Sequence, residues 1–281
     1  MTGRPDSKDR GPITALILAG ERGGDNPVAQ AAGVTEKCWV PAAGVPMLLR
    51  VVDTLCQCRA VSRIAVSIQA GATDEDREAL AQRAAGVELT LLPCGASPTA
   101  SILAAVGSLE SPYPLLITTA DHPLLNNEMV DHFLMACESS DADVAAAVTP
   151  ASVIQQAYPE TQRTYLKFAD GPRSGANLFA LLRPEGLRAV EFWRRIEQNR
   201  KRPWRIMGAF GLSPLLAYLL GRLTVDRAAR QASQIFGAKA AIVDLPFAEA
   251  AIDVDKPADL VLVERILKDR EQGHVHAGAP L

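Results

Sequence analysis

The chain has 281 residues, of which 48% are hydrophobic and 22% charged, so it can bury the core of one large domain or two small ones. This composition excludes a protein that is disordered throughout. The 29 basic and 32 acidic residues give a net charge of −3, which argues against nucleic-acid binding. Five scattered cysteines exclude a disulfide scaffold, and we expect a reducing, cytoplasmic setting.

The two ends of the chain differ from the rest. Residues 1–11 and 272–281 are expected to be flexible tails, and the first lacks the apolar core of a signal peptide. The apolar stretch 206–220 contains two glycines and a proline. It therefore indicates a buried helix or an interface, such as that of a homodimer, and not a stable membrane insertion. With no linker or repeat between the tails, the sequence predicts one domain over 12–271.

Apolar runs and helical spacing alternate through the first half of the chain. They predict strands at 13–18, 63–68, 88–92, 114–119 and 143–148, and helices at 47–58, 73–84, 98–109 and 127–139. Repeated strand–helix units predict a doubly wound, mostly parallel sheet in three α/β/α layers. A loop of about 20 residues after the first strand is unusual unless it is functional.

The second half is less regular. We predict short strands at 165–168 and 177–182, a strand at 240–245 and a closing helix at 258–271. Residues 186–236 have mostly helical character, so the α/β sheet is expected to carry a helical insert in the second half of the chain.

The end of the first strand is the first candidate site, because open α/β sheets bind ligands at the carboxyl ends of their strands. It contains small residues, glycines and one arginine: Leu18, Ala19, Gly20, Arg22, Gly23 and Gly24. Glycines let the backbone approach a ligand closely, and successive N–H groups bind anions. The spacing matches neither GxGxxG nor GxxxxGK[ST], which disfavours a dinucleotide dehydrogenase and a P-loop NTPase. A glycine-rich surface turn is the structural alternative.

A second motif follows in the long loop, where Lys37 precedes Gly44-Val-Pro-Met-Leu48 at the start of a helix. Together with the glycine-rich loop, it resembles the MobA-like NTP transferase family, nucleotidyltransferases with a GT-A-like, Rossmann-like fold. The resemblance implies that the loop residues bind nucleotide phosphates and that Lys37 and Arg22 neutralise their charge. Arg22 departs from the family pattern, because here it precedes the glycines.

Three aspartates extend the resemblance. Asp121, after the fourth strand, resembles the family's metal-binding aspartate, and Asp253 and Asp255 resemble its closing motif. The resemblance implies Mg²⁺ bound by Asp121 with one of the latter two. The choice between them stays open, because acidic residues are also favoured before a helix. Gly95 and Ser101 resemble residues that line the family's nucleobase pocket.

The resemblance implies transfer of a nucleoside monophosphate from an NTP, CTP or GTP, to a small phosphorylated acceptor with release of pyrophosphate. It assigns 12–150 to nucleotide binding, 151–250 to the acceptor and the helical insert, and 251–271 to the closing metal motif and helix. Arg173 and Asn177 are candidate acceptor contacts.

Two other interpretations remain. A GT-A glycosyltransferase would use a nucleotide-sugar donor and an Asp-x-Asp motif, and Asp253-Val-Asp255 has those letters, although near the chain end. A non-catalytic nucleotide-binding protein would bind nucleotide without turnover.

Overall fold

The structure, a computed structural model, describes residues 12–21, 26–198 and 212–272. Both predicted tails lie outside these residues, apart from Gln272.

Short and long strands alternate with helices along the chain. The strands are β1 Ile13–Leu18, β2 Pro41–Ala42, β3 Val45–Pro46, β4 Val61–Ile68, β5 Glu88–Pro93, β6 Leu115–Thr119, β7 Val144–Pro150, β8 Leu166–Phe168, β9 Gly171–Leu181 and β10 Ala240–Asp244. The helices are α1 Pro27–Ala32, α2 Met47–Gln57, α3 Asp74–Arg83, α4 Pro98–Ser108, α5 Asn127–Ser139, α6 Ala151–Ala157, α7 Leu187–Gln198, α8 Leu212–Leu219, α9 Val225–Phe236 and α10 Pro257–Glu271.

The main sheet has the strand order β10-β7-β9-β6-β1-β4-β5, with β8 paired to β9. Neighbours are parallel from β6 through β1 and β4 to β5, and β10 is parallel to β7. Strand β9 lies antiparallel between β6 and β7. The prediction of a mostly parallel α/β sheet is therefore confirmed, with one reversed strand that the strand–helix alternation did not indicate.

Helices cover both faces of the sheet. Strand β1 shows why, because alternate residues face opposite sides. Ile13, Ala15 and Ile17 pack with α2, α3 and α5, whereas Leu16 packs with α4 and α7. The three layers follow from this two-sided burial.

The long loop after β1 is more ordered than the sequence indicated. It contains helix α1 and the two-stranded pair β2–β3. Asn26 caps α1 by accepting from the backbone N–H groups of Val28 at 2.9 Å and Ala29 at 3.3 Å, and Gly33 ends it at φ 68°. At six residues, this helix is too short to give a clear periodic signal.

A small second core fixes the closing segment beside this loop. Val28 and Val40 pack in one buried cluster with Ile252, Val254 and Val263. The cluster therefore places α10 and the residues before it against the end of the sheet where Lys37 lies. None of the helices in the described ranges is long and apolar enough to cross a membrane.

Candidate active site

A cavity of about 420 Å³ opens at the carboxyl ends of β1 and β6. It is lined by many of the predicted site residues: Leu18, Ala19, Gly20, Lys37, Gly95, Ser101, Asp121 and Asp255. Residues from five separated segments thus meet at the end of the sheet that the topology predicts. Arg22, Gly23 and Gly24 lie outside the described residues.

Lys37 joins two of the predicted carboxylates. Its Nζ donates to Asp121 Oδ2 at 2.5 Å and to Asp255 Oδ1 at 3.0 Å. Burial alone lowers the pKa of Lys37, but the two carboxylates outweigh that effect and raise it above its usual value. The side chain is therefore a fixed cation at neutral pH.

The three aspartates converge beside Lys37. One carboxylate oxygen from each of Asp121, Asp253 and Asp255 lies within 4.8 Å of the others. The backbone causes this convergence in part, since Val254 N–H donates to the Asp121 carbonyl at 3.0 Å and ties the closing segment to the end of β6.

The donor set fits a divalent cation. All three groups offer hard oxygen atoms, the ligands that Mg²⁺ prefers. Asp121 Oδ1 is buried, and it has no hydrogen-bond partner among the described residues. A buried carboxylate oxygen is costly to leave unpaired, so this atom is suited to a cation.

Asp253 differs from the other two in its neighbours. Arg163 Nη1 donates to its Oδ1 at 2.7 Å, and Asn177 Nδ2 donates to its Oδ2 at 2.8 Å. Burial raises the pKa of Asp253 most, and Asp121 and Asp255 add to the rise, whereas Arg163 and Asn177 oppose it.

Asp255 is more exposed and faces Lys37. The N–H groups of Asp255 and Lys256 donate to the Asp259 carboxylate at 3.1 and 2.8 Å. Asp259 thus accepts the backbone donors before α10, and the Asp255 side chain stays in the cavity.

The loop after β5 forms another wall through close backbone packing. Gly95 N–H donates to Ser101 Oγ at 2.9 Å. A Cβ at Gly95 would lie 2.7 Å from the Ala100 Cβ and 2.8 Å from the Ser101 backbone N. A Cβ at Gly20 would lie 2.7 Å from the Cys94 Cβ. Only glycine fits at both positions without a shift of neighbouring atoms.

The two candidate acceptor contacts, Asn177 and Arg173, both form hydrogen bonds within the protein. Asn177, at φ 45° in a β-bulge of β9, directs its amide at Asp253. Arg173 is 8% exposed and pairs with Asp244 through Nε at 3.2 Å and Nη2 at 3.1 Å. Its Nη1 donates to the carbonyls of Asp170 and Gly171. The guanidinium of Arg173 is occupied by these structural contacts, so the structure does not bring it to the cavity.

Two residues that contact the site, Arg163 and Glu21, were not predicted from the sequence. Arg163 lies in the irregular segment between α6 and β8, where no motif marks it. Glu21 lines the cavity, and its Oε2 accepts from the Lys37 backbone N–H at 3.1 Å. Its position directly after Gly20 could have indicated it.

An open α/β sheet that carries a lysine, an acidic cluster and a glycine-walled cavity at its strand ends has the features of a nucleotidyltransferase. The MobA-like NTP transferase domain model matches residues 15–203. The chain belongs to this family, as the motifs indicated.

Individual relatives agree with this assignment. A molybdenum cofactor guanylyltransferase from Cupriavidus metallidurans is 31% identical over 144 residues, which are 50% of this chain and 62% of that protein. A hypothetical transferase from Thermus thermophilus has a TM-score of 0.74 at 26% identity, over 89% of this chain and 100% of that one. A 4-diphosphocytidyl-2C-methyl-D-erythritol synthase from Anaerococcus prevotii has a TM-score of 0.56 at 12% identity, over 92% and 100%. The last likeness shows the fold alone.

Proposed function

We propose that the protein is a Mg²⁺-dependent nucleotidyltransferase that moves a nucleoside monophosphate from an NTP to a small phosphorylated acceptor. One observation carries the proposal: Lys37 Nζ lies 2.5 Å from Asp121 and 3.0 Å from Asp255 in the cavity at the strand ends. Fixed charges of both signs, partly withdrawn from water, suit a reaction in which phosphate charge is redistributed.

The nucleotide is proposed to lie across the strand ends. Its base would occupy the side formed by Gly95 and Ser101, where the backbone can approach a flat ring. Its phosphates would lie over Leu18, Ala19 and Gly20, continuing onto Arg22, Gly23 and Gly24. The placement at Leu18, Ala19, Gly20, Gly95 and Ser101 is supported by the walls of the cavity and by the close packing at Gly20 and Gly95. Its extension onto Arg22, Gly23 and Gly24 follows from the sequence motif alone.

The proposed metal ligands are Asp121 with Asp253 or Asp255. A bound Mg²⁺ would supply Lewis-acid stabilisation of phosphate charge. The buried Oδ1 of Asp121, which has no partner in the ranges that the structure describes, supports its place as the principal ligand.

The chemistry needs no general base on the protein. An ionised phosphate oxygen of the acceptor attacks the α-phosphorus in line, so a new P–O bond forms. The bond between the α-phosphorus and the α,β-bridging oxygen breaks, and pyrophosphate leaves with the electron pair. Lys37 would stabilise the charge that develops on the α-phosphate oxygens, and the walls of the cavity would hold the reactants in position.

Either CTP or GTP is compatible with the family. The 31% identity to a molybdenum cofactor guanylyltransferase favours GTP as the donor. All five cysteines are free thiols, which supports the proposed cytoplasmic setting.

Thermal unfolding with each of the four ribonucleoside triphosphates, and separately with nucleotide sugars, with and without Mg²⁺, tests donor binding. At 100 times its dissociation constant, the donor should stabilise the protein by about 2.7 kcal/mol, or about 5 to 10 °C in Tm. A pyrophosphate-release assay with a panel of sugar, polyol and pterin phosphates then tests transfer.

Each outcome separates the candidate functions. A Mg²⁺-dependent shift with one triphosphate, followed by pyrophosphate release with one acceptor, is the expected result. Binding without release for any acceptor would favour a nucleotide-binding protein. A shift with nucleotide sugars alone would favour a glycosyltransferase.

A further inference from the structure

Asp253 is the most firmly held of the three aspartates. Arg163 contacts it twice, through Nη1 to Oδ1 at 2.7 Å and through Nη2 to the Asp253 carbonyl oxygen at 3.0 Å. One planar guanidinium therefore fixes both the side chain and the backbone of the residue. The Arg163 side chain is 9% exposed, so solvent competes little for these bonds.

The other oxygen of Asp253 is held by an unusual backbone position. Asn177 has φ 45°, a left-handed conformation that costs free energy in a strand and that asparagine tolerates better than most residues. It lies where the register of β7 and β9 shifts, so that its amide reaches Asp253 Oδ2 at 2.8 Å. The bulge turns this side chain toward the acidic cluster instead of continuing the regular ladder.

The hydrogen bonds of Arg163 are concentrated on Asp253. Its Nε is buried, and it has no hydrogen-bond partner in the described part of the chain. The structure thus accepts an unsatisfied donor while both terminal nitrogens contact Asp253. Lys37, by contrast, contacts Asp121 and Asp255. Lys37 and Arg163 therefore contact different aspartates of the cluster.

We propose that Arg163 and Asn177 are positioning residues that aim the Asp253 carboxylate into the metal site. This inference rests on the proposed function, because it assigns Asp253 to the metal. Arg163 and Asn177 each bond one Asp253 oxygen, and one of these oxygens lies within 4.8 Å of a carboxylate oxygen of Asp121 and of Asp255. The arrangement matches the way in which metal-binding carboxylates are commonly oriented by outer hydrogen bonds.

Mn²⁺ binding to the full-length protein tests the inference directly. Free Mn²⁺ is measured by electron paramagnetic resonance during titration of the wild type and of Arg163→Gln, Arg163→Lys, Asn177→Ala and Asp253→Asn. Arg265→Gln is the matched control, since it removes a guanidinium that pairs with Glu160 on the exposed surface. The melting temperature of each variant is recorded without metal.

We expect Arg163→Gln and Asn177→Ala to weaken Mn²⁺ binding by roughly 10- to 100-fold, the usual effect of losing such a partner. Arg163→Lys should recover part of the affinity, and Arg265→Gln should bind as the wild type does. In turnover assays, Arg163→Gln should raise the metal concentration needed for half-maximal rate more than it lowers the rate at saturating metal.

Wild-type affinity in both Arg163→Gln and Asn177→Ala would overturn the inference, as would a wild type that binds no Mn²⁺. If Arg163→Gln fails to fold, Asn177→Ala and Arg163→Lys decide the matter. A wild type that binds Mn²⁺ but releases no pyrophosphate would refute the proposed transfer reaction, and the Mn²⁺ titrations would still decide the roles of Arg163 and Asn177.

Discussion

At the scale of single residues, one carboxylate oxygen in the site stands apart from the other charged atoms. Asp121 Oδ2 is bonded to Lys37, while its Oδ1 is buried with no partner among the described residues. An uncompensated oxygen at this position reduces stability, so its presence suggests that the site is completed by a ligand.

Replacing Asp121 by asparagine tests this interpretation. The amide keeps the size of the side chain but removes the negative charge, so we expect pyrophosphate release to fall by at least about 100-fold. Asp53→Asn is a suitable control, because Asp53 forms an exposed pair with Arg83. Full activity in Asp121→Asn would refute the metal assignment.

Some of these residues could be predicted from the sequence and others could not. Lys37, Asp121 and Asp255 stand in recognisable motifs, and they meet in the cavity because parallel strands end at the same edge. Arg163 reaches Asp253 from an irregular segment 90 residues away. Contacts of that kind depend on tertiary packing, which local patterns do not encode.

At the scale of elements, the strands and helices of the first half follow from periodicity, whereas α1 and the bulge in β9 do not. The helix is too short for its spacing to be seen, and a bulge changes register without a change in composition. The close packing of the β5–α4 loop against the start of helix α4 likewise depends on Gly95.

Gly95→Ala and Gly107→Ala form a matched pair for that loop. At Gly95 the new methyl group would meet Ala100 and Ser101 at 2.7 to 2.8 Å, so the loop must move and nucleotide affinity should fall. At Gly107, in the last turn of α4, nothing lies within 4 Å, so alanine should be accommodated and should leave the loop and its nucleotide affinity unchanged. Equilibrium unfolding and nucleotide titrations measure both effects. Equal nucleotide affinity in the two variants would refute a role for Gly95 in shaping the site.

At the scale of the whole molecule, one carboxylate links three segments on the β10-β7-β9 side of the sheet. Asp143, directly before β7, accepts from the Lys239 backbone N–H at 2.8 Å and from Arg183 Nη1 at 3.0 Å. It thereby connects Lys239, directly before β10, and Arg183, after β9, to the start of β7. The residue Asp143 is 7% exposed, so these bonds are partly shielded from water.

Asp143→Asn should destabilise the protein by about 1 to 3 kcal/mol at neutral pH, because one of these donors loses its acceptor and the other keeps only a neutral amide oxygen. Burial acts to raise the pKa of Asp143, but the contacts with Lys239 and Arg183 outweigh it and lower the pKa below 3.8. Its contribution is therefore complete above the unfolded-state value and is lost as the pH falls through the lower folded-state pKa.

Urea unfolding of both proteins at several pH values measures this dependence. The difference in unfolding free energy should be constant from about pH 5 upward and should shrink below pH 4. Asp53→Asn, at a more exposed ion pair, should change stability less. A difference that persists unchanged in acid would mean that packing, and not charge, explains the loss.

The contacts of Lys37 with Asp121 and Asp255 affect how tightly a metal ion binds before the nucleotide does. An ammonium group tethered in place acts as a competitor of high effective concentration for any divalent ion that arrives alone. A nucleotide changes that competition, because its phosphates offer the ammonium another anion and release the two carboxylates. We therefore expect metal alone to bind, as it must in the Mn²⁺ titration, but more weakly than it binds together with the nucleotide.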